Sequence, residues 1–233
     1  MGWLKLKEYG LKEAYIRKLM KEFGAYSDMF IASNFNLFSD KFKSTLEKVD
    51  KVDVSRILET HSKSSVRIIS AKDNEYPSGI KKLVDFPTFL YVKGNEMHRE
   101  RKIAVVGTRK VTKFGKASCE KIVKDLLEYD ITIVSGLAEG IDTIALNIAV
   151  QKNNNPIAIV GTGLDIVYPF ENREIWEKIG REGTIISEYP LGTSAQKWNF
   201  PKRNRLIAAI SNGVLVAESF HRGGSLITAE LAY

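Results

Sequence analysis

Ile103-Ala104-Val105-Val106-Gly107-Thr108-Arg109 sets a pattern that the chain repeats: a short β-branched run, a turn of small or polar residues, then a helix-like stretch. It returns at Ile131-Thr132-Ile133-Val134 before Ser135-Gly136, and at Ile157-Ala158-Ile159-Val160 before Gly161-Thr162-Gly163. Two more follow, Thr184-Ile185-Ile186 before Ser187-Glu188, and Val214-Leu215-Val216-Ala217 before Glu218 and Gly223-Gly224-Ser225. Continuous apolar runs, without polar alternation, mark strands buried on both faces, as in a parallel sheet with helices on either side. The fold class is therefore α/β, an extended Rossmann-like, mostly parallel sheet. In such sheets ligands bind outside the carboxyl ends of the strands, where these turns gather.

The N-terminal part reads differently. Apolar residues at 11, 15, 16, 19, 20 and 23 follow helical spacing and Gly24 provides a stop. A weaker periodicity runs from Ser39 to Leu58. These features predict a small helical domain over 1–68, followed by the sheet domain over 69–233. Pro77 and Pro87 punctuate the connection, and Thr88-Phe89-Leu90-Tyr91-Val92 reads as a further strand ending at Gly94. The chain stops shortly after Gly224, so the sheet domain reads as truncated at its C-terminus.

With 44% hydrophobic and 27% charged residues, the composition is that of an ordinary globular chain. A formal net charge of +7 favours an anionic partner. The lone cysteine, Cys119, excludes an internal disulfide and fits a reducing compartment; its place in an amphipathic stretch argues for a buried, inert thiol. No apolar run approaches the ~20 residues of a membrane helix, so the cytoplasm is the expected location and no membrane contact is expected.

A turn ahead of a helix presents unpaired N–H groups and the positive end of the helix dipole, a combination suited to phosphate. Gly107-Thr108-Arg109 adds a hydroxyl and a guanidinium; Ser135-Gly136, Gly161-Thr162-Gly163 and Gly224-Ser225 would face it across the sheet edge. The common nucleotide fingerprints fail. Ile166 stands where the third glycine of G-x-G-x-x-G belongs, and Gly115-Lys116 lacks both the upstream glycine and the following Ser/Thr of a P-loop. Trp198-Asn199-Phe200-Pro201-Lys202-Arg203-Asn204-Arg205 sets three cations and an amide beside two aromatics, the composition of a site that pairs phosphates and stacks bases. The plainer reading is a solvated helix start with Phe200 as a hydrophobic staple.

Catalytic groups are sparse. His61, His98 and His221 are scattered without metal-ligand spacing, so no metal and no cofactor are expected. Asp142, Glu188 and Glu218 follow strand ends, where they would cap helices or orient Arg109 and Arg203.

These motifs together resemble the DNA-processing protein A family (DprA, also called Smf). The likeness runs through Tyr76-Pro77, Tyr91-Val92-Lys93-Gly94, Val106-Gly107-Thr108-Arg109 and Ser135-Gly136-Leu137-Ala138-Glu139-Gly140-Ile141-Asp142. It continues through Gly161-Thr162-Gly163-Leu164-Asp165, Tyr168-Pro169, Ser187-Glu188-Tyr189-Pro190, the 200–205 segment and Gly224-Ser225-Leu226-Ile227-Thr228-Ala229. Leu146 stands where the family usually carries histidine. The resemblance implies a SAM-like helical N-terminal domain and a non-enzymatic role. That role is to bind single-stranded DNA, protect incoming strands during natural transformation and load the RecA recombinase, with a homodimer as the family's assembly. It implies that Arg109, Lys202, Arg203 and Arg205 hold phosphates and that Phe200 stacks on a base. It further implies that Gly107, Thr108, Ser135, Gly136, Gly161, Gly163, Asn204, Gly224 and Ser225 line the DNA site.

Two other classes compete. Arg222-Gly223-Gly224-Ser225-Leu226-Ile227-Thr228-Ala229-Glu230 keeps the paired glycines and the glutamate of LOG-type phosphoribohydrolases, though not the proline, third glycine and threonine. A nucleotide sensor of that kind would bind free nucleotide, and an enzyme would release free base from nucleoside monophosphates. A scaffold for an acidic protein needs only the charge and leaves the aromatic–basic segment unexplained.

Overall fold

The computed structural model describes residues 2–97, 101–221 and 223–232, so His98, Arg222 and Tyr233 lie outside the described residues. Helices α1 (Gly2–Glu8), α2 (Glu13–Glu22), α3 (Ala32–Phe35), α4 (Asp40–Asp50) and α5 (Val54–Lys63) come first. The expected second periodicity is two helices, because Asp53 accepts a hydrogen bond from the Arg56 amide and starts α5 anew, as Ser39 does for α4. Then follow β1 (Val66–Ser70), α6 (Ser78–Lys81), β2 (Phe89–Gly94), β3 (Lys102–Gly107), α7 (Lys113–Leu127), β4 (Thr132–Ser135) and α8 (Ile141–Gln151). The remainder is β5 (Ile157–Val160), α9 (Arg173–Glu182), β6 (Thr184–Ser187), α10 (Asn199–Ile210), β7 (Gly213–Glu218) and α11 (Gly224–Glu230).

The described strands form one seven-stranded sheet in the order β1-β2-β6-β5-β4-β3-β7. Strands β6, β5, β4, β3 and β7 run parallel; beyond β6, β2 is antiparallel to it and β1 is antiparallel to β2. Strands β4, β5 and β6 are buried along their whole length, as their unbroken apolar runs predict. The fifth run departs from that prediction. Strand β7 is only half-buried throughout, because it forms the outer edge of the sheet with β3 as its one strand neighbour.

One boundary needs correction: strand β1 begins at Val66, so the expected division between 68 and 69 falls inside it. The helical segment also shares its core with the sheet: Trp3, Leu4, Leu6, Ile16 and Leu19 belong to one hydrophobic cluster with Ile69, Leu90, Val92, Ile186 and Leu206. Burying both sets against each other removes more apolar surface than either segment could alone.

Polar contacts reinforce that seam. The Glu13 carboxylate accepts from the Thr88 hydroxyl (2.6 Å) and amide (3.0 Å) and pairs with Lys7 (3.0 Å), while Arg17 donates to the Phe86 carbonyl. Burial alone would raise the Glu13 carboxyl; Lys7 and the Thr88 donors outweigh it and hold the group below the usual glutamate range. A carboxyl depressed in the folded state stabilises above its unfolded value, and that stabilisation is lost as pH falls through the folded one. Glu13→Gln should therefore cost about 1–2 kcal/mol at neutral pH. Urea denaturation should show the gap between variant and wild type closing below the carboxylate range. A gap that persists there would mean that packing, not charge, fixes this seam.

The parallel part is built around a reversal. From β3 the chain steps outward through β4, β5 and β6, then returns so that β7 lies on the other side of β3. The helices flanking β3 therefore leave to opposite faces. Residues of α7 and α8, such as Cys119, Val123 and Ala145, pack on Val105, whereas Leu206 and Ile207 of α10 join the cluster holding Ala104 and Val106. Such a reversal opens a crevice at the carboxyl ends of the two strands.

Candidate functional site

The ends of β3 and β7 are tied together by the Thr108 amide donating to the Glu218 carbonyl at 2.8 Å, just past a register shift between Val106 and Gly107. The Thr108 carbonyl then accepts from the Ile141 amide at the start of α8 (3.2 Å). Only glycine suits two positions here. A Cβ at Gly107 would collide with Ile141, and Gly140 has φ 82°, where a Cβ would also collide with the Thr108 carbonyl. This close packing turns the next residue outward: Arg109 is exposed and has no ion pair among the described residues. Glu218 does not reach it, since its carboxylate accepts from the Thr112 amide (3.0 Å) and hydroxyl (2.6 Å), where Thr112 caps α7. Glu218 is thus a helix-start residue.

The crevice is a cavity of about 610 Å³. One wall is Gly107, Thr108, Arg109 and Lys110; the second is Lys197, Phe200, Pro201 and Asn204 at the start of α10; the third runs from Ser219 and Phe220 to Ser225. Ser225 and Ser219 share a hydroxyl–hydroxyl hydrogen bond of 2.8 Å. The rings of Phe200 and Tyr168 lie 5.2 Å apart at 33°, with Tyr168 44% exposed at the rim. Arg109, Lys110, Lys197 and Arg203 line the space, against a single lining carboxylate, Asp142. Asp142 is buried and accepts from the Gly136 and Ala138 amides at 3.1 and 3.3 Å. The open surface of the cavity is therefore cationic.

Several expected ligand contacts prove to be internal. The Arg203 guanidinium reaches the cavity floor but donates to the carbonyls of Gly136 and Ile159 beneath it. Burial draws it down to about 10, with Asp142 opposing that shift, so it stays cationic at neutral pH. Arg205 points elsewhere, paired with Asp85 and Glu188, both at 2.8 Å. Lys202 is exposed, but it sits over the Tyr189 ring and pairs with Glu188 at 3.2 Å, outside the cavity. An α-helix rotates about 100° per residue, so cations adjacent in sequence on α10 are dispersed around it.

The Ser135 hydroxyl donates to the Val105 carbonyl (2.6 Å), and the Gly136 amide is held by Asp142. Gly161 and Gly163 are buried: the Gly161 carbonyl accepts from Asn199 and the Gly163 amide donates to Thr193, both at 2.9 Å. The Gly136 and Gly161 carbonyls thus brace α10 through Arg203 and Asn199. The structure does bring Gly107, Thr108, Arg109, Phe200, Asn204, Gly224 and Ser225 to one cavity. It adds Lys110, Tyr168, Lys197 and Phe220, which sequence reasoning did not select; only Tyr168 lay in a motif already noted.

The remaining candidates fall outside this site. Cys119 is buried and its thiol is pushed up to about 11 by burial, the behaviour of an inert core residue. His61 is buried, bonded through Nδ1 to the Ile57 carbonyl and stacked on Tyr91, and His221 is exposed. Glu230, the carboxylate a phosphoribohydrolase would need, is exposed and does not line the cavity.

Residues 67–233 match the family model described as DNA recombination-mediator protein A. Protein Smf of Synechocystis is 41% identical over 182 residues, covering 76% of this chain and 46% of that protein. DNA processing protein DprA of Streptococcus pneumoniae is 36% identical over 238 residues, 98% of this chain and 81% of that one. The chain thus spans less than half of the first relative's length and most of the second's. The X-ray structure of the S. pneumoniae protein superposes with a TM-score of 0.81 at 34% identity, covering 100% of this chain and 83% of that one. DNA processing protein A of Helicobacter pylori, solved for its single-stranded DNA binding mode, gives 0.66 at 31% identity, covering 72% and 75%.

Proposed function

Because the chain belongs to the DNA recombination-mediator protein A family, we propose that it binds single-stranded DNA in the cavity at the ends of β3 and β7 and acts as a recombination mediator without catalytic chemistry. One observation carries this reading: four cations, a single buried carboxylate and two adjoining aromatic rings, Tyr168 exposed and Phe200 half-buried, converge on one crevice. Cations that track a phosphate chain beside rings that accept any base are the two parts of sequence-tolerant single-strand binding. Arg109, Lys110 and Lys197 take phosphates; Phe200, backed by Tyr168, stacks on a base; Thr108, Asn204 and Ser225 supply hydrogen bonds. That the H. pylori relative was solved for its single-stranded DNA binding mode supports a single strand as the ligand. Protection of incoming strands in transformation, loading of RecA, a homodimer and a cytoplasmic site of action belong to the same proposal. Among the described residues no helix is long and apolar enough to cross a membrane.

Fluorescence anisotropy with labelled oligothymidine, at two salt concentrations and beside the same strand in duplex form, tests the reading. The expected result is tighter binding of the single strand, weakened by salt. Equal affinity for the duplex would remove the stacking role. Release of free base from a nucleoside monophosphate would replace the whole reading with the phosphoribohydrolase one.

A further inference from the structure

A second groove opens beside the first. It occupies about 570 Å³ between β2, the loop after β5 and α9, and its cations are Lys93, Arg173 and Arg181. Its two carboxylates are already engaged: Asp165 accepts from the Gly192 amide, and Glu177 pairs with Arg173 at 2.9 Å. Lys93 and Arg181 have no ion pair among the described residues. The Lys93 stem crosses α9 at Gly180, its Cε 3.6 Å from where a Cβ would lie.

Residues 167–170 join the grooves. Tyr168 lines the first, while Val167 and Phe170 line the second. Phe170 is 68% exposed, with the Arg173 guanidinium 6.0 Å from its ring centroid. An aromatic ring this exposed contributes nothing to the core; set between two cationic grooves, it is a platform for a planar, polyanionic ligand. We propose that the groove along α9 is a second single-strand subsite, with Phe170 as a base platform and Lys93 and Arg181 as phosphate contacts. A strand leaving the Phe200–Tyr168 rings would continue into it. This rests on the single-strand reading of the first cavity.

The test is a length series. Oligothymidines of about 4 and about 16 nucleotides, the two ends of the range for one single-strand groove, are titrated at several salt concentrations. The proteins compared are wild type, Lys93→Gln/Arg181→Gln, Phe170→Ala and Arg109→Ala. The double variant should lose about 0.7 of log–log salt slope per phosphate contact on the long strand only. Phe170→Ala should weaken the long strand about tenfold with its slope kept, and Arg109→Ala should weaken both lengths. Long-strand affinity and slope unchanged in both the double variant and Phe170→Ala, with Arg109→Ala still impaired, would overturn the second subsite alone. Unimpaired binding by Arg109→Ala would overturn the reading on which it rests.

Discussion

Arg203→Ala is expected to destabilise the fold by about 3–5 kcal/mol, the upper range for removing a buried cation on which other buried polar groups depend. The guanidinium joins three elements: it rises from α10 and donates to the carbonyls at the ends of β4 and β5, Gly136 and Ile159. It also supplies the main charge opposing burial at Asp142, whose carboxyl burial already pushes above its ordinary value. Truncation leaves two carbonyls without this donor and a buried carboxylate without its opposing cation. The pH dependence has a definite sign. A carboxyl raised in the folded state penalises folding where it is ionised, and the penalty fades as pH falls through the raised value. Urea denaturation should therefore find the variant weakest near neutrality and partly recovered on acidification, as Asp142 takes a proton. Arg203→Lys should restore part of the loss, keeping the charge but not the planar fork. A variant with a wild-type midpoint and a flattened salt dependence of DNA binding would return Arg203 to the phosphate-binding set.

That prediction turns on what a sequence can and cannot display. Strands β4, β5 and β6 were legible because burial on both faces leaves a one-dimensional trace, an unbroken apolar run. Strand β1 was not, because Val66-Arg67-Ile68-Ile69-Ser70 lies at the far edge of the sheet and carries an arginine paired with Glu75. The turn at Gly107 was legible as an anion site because the strand end, the glycine and Arg109 are neighbours in the chain. Assembly across the chain was not: Lys110, Tyr168, Lys197 and Phe220 meet only because β7 returns beside β3. The 202–205 cluster misled for the converse reason. Its three cations crowd one dimension, and the helix distributes them to the cavity floor, to Glu188 with Tyr189, and to Asp85. Charge density along a sequence is evidence of a binding face only after division by the helical period.

The same dispersal separates two lysine-and-arginine substitutions that look alike in sequence. Arg109→Ala should weaken single-strand binding and lower the log–log salt slope by about 0.7, the share of one phosphate contact. Lys202→Ala should leave that slope nearly intact, since its ammonium is taken up by Glu188 and Tyr189 outside the cavity. Phe200→Ala should cost about 1–3 kcal/mol of binding with the slope unchanged, because stacking releases no counterions. Tyr168→Ala should cost less alone, and less again when Phe200 is already gone. The two rings are 5.2 Å apart, and the first supports the second. Salt-titrated anisotropy on the four single variants and the ring double variant separates these terms. Equal loss of slope in Arg109→Ala and Lys202→Ala would place DNA on the outer face of α10. Full additivity of the ring variants would mean that Tyr168 and Phe200 meet different bases, putting the strand across the rim and not into the cavity.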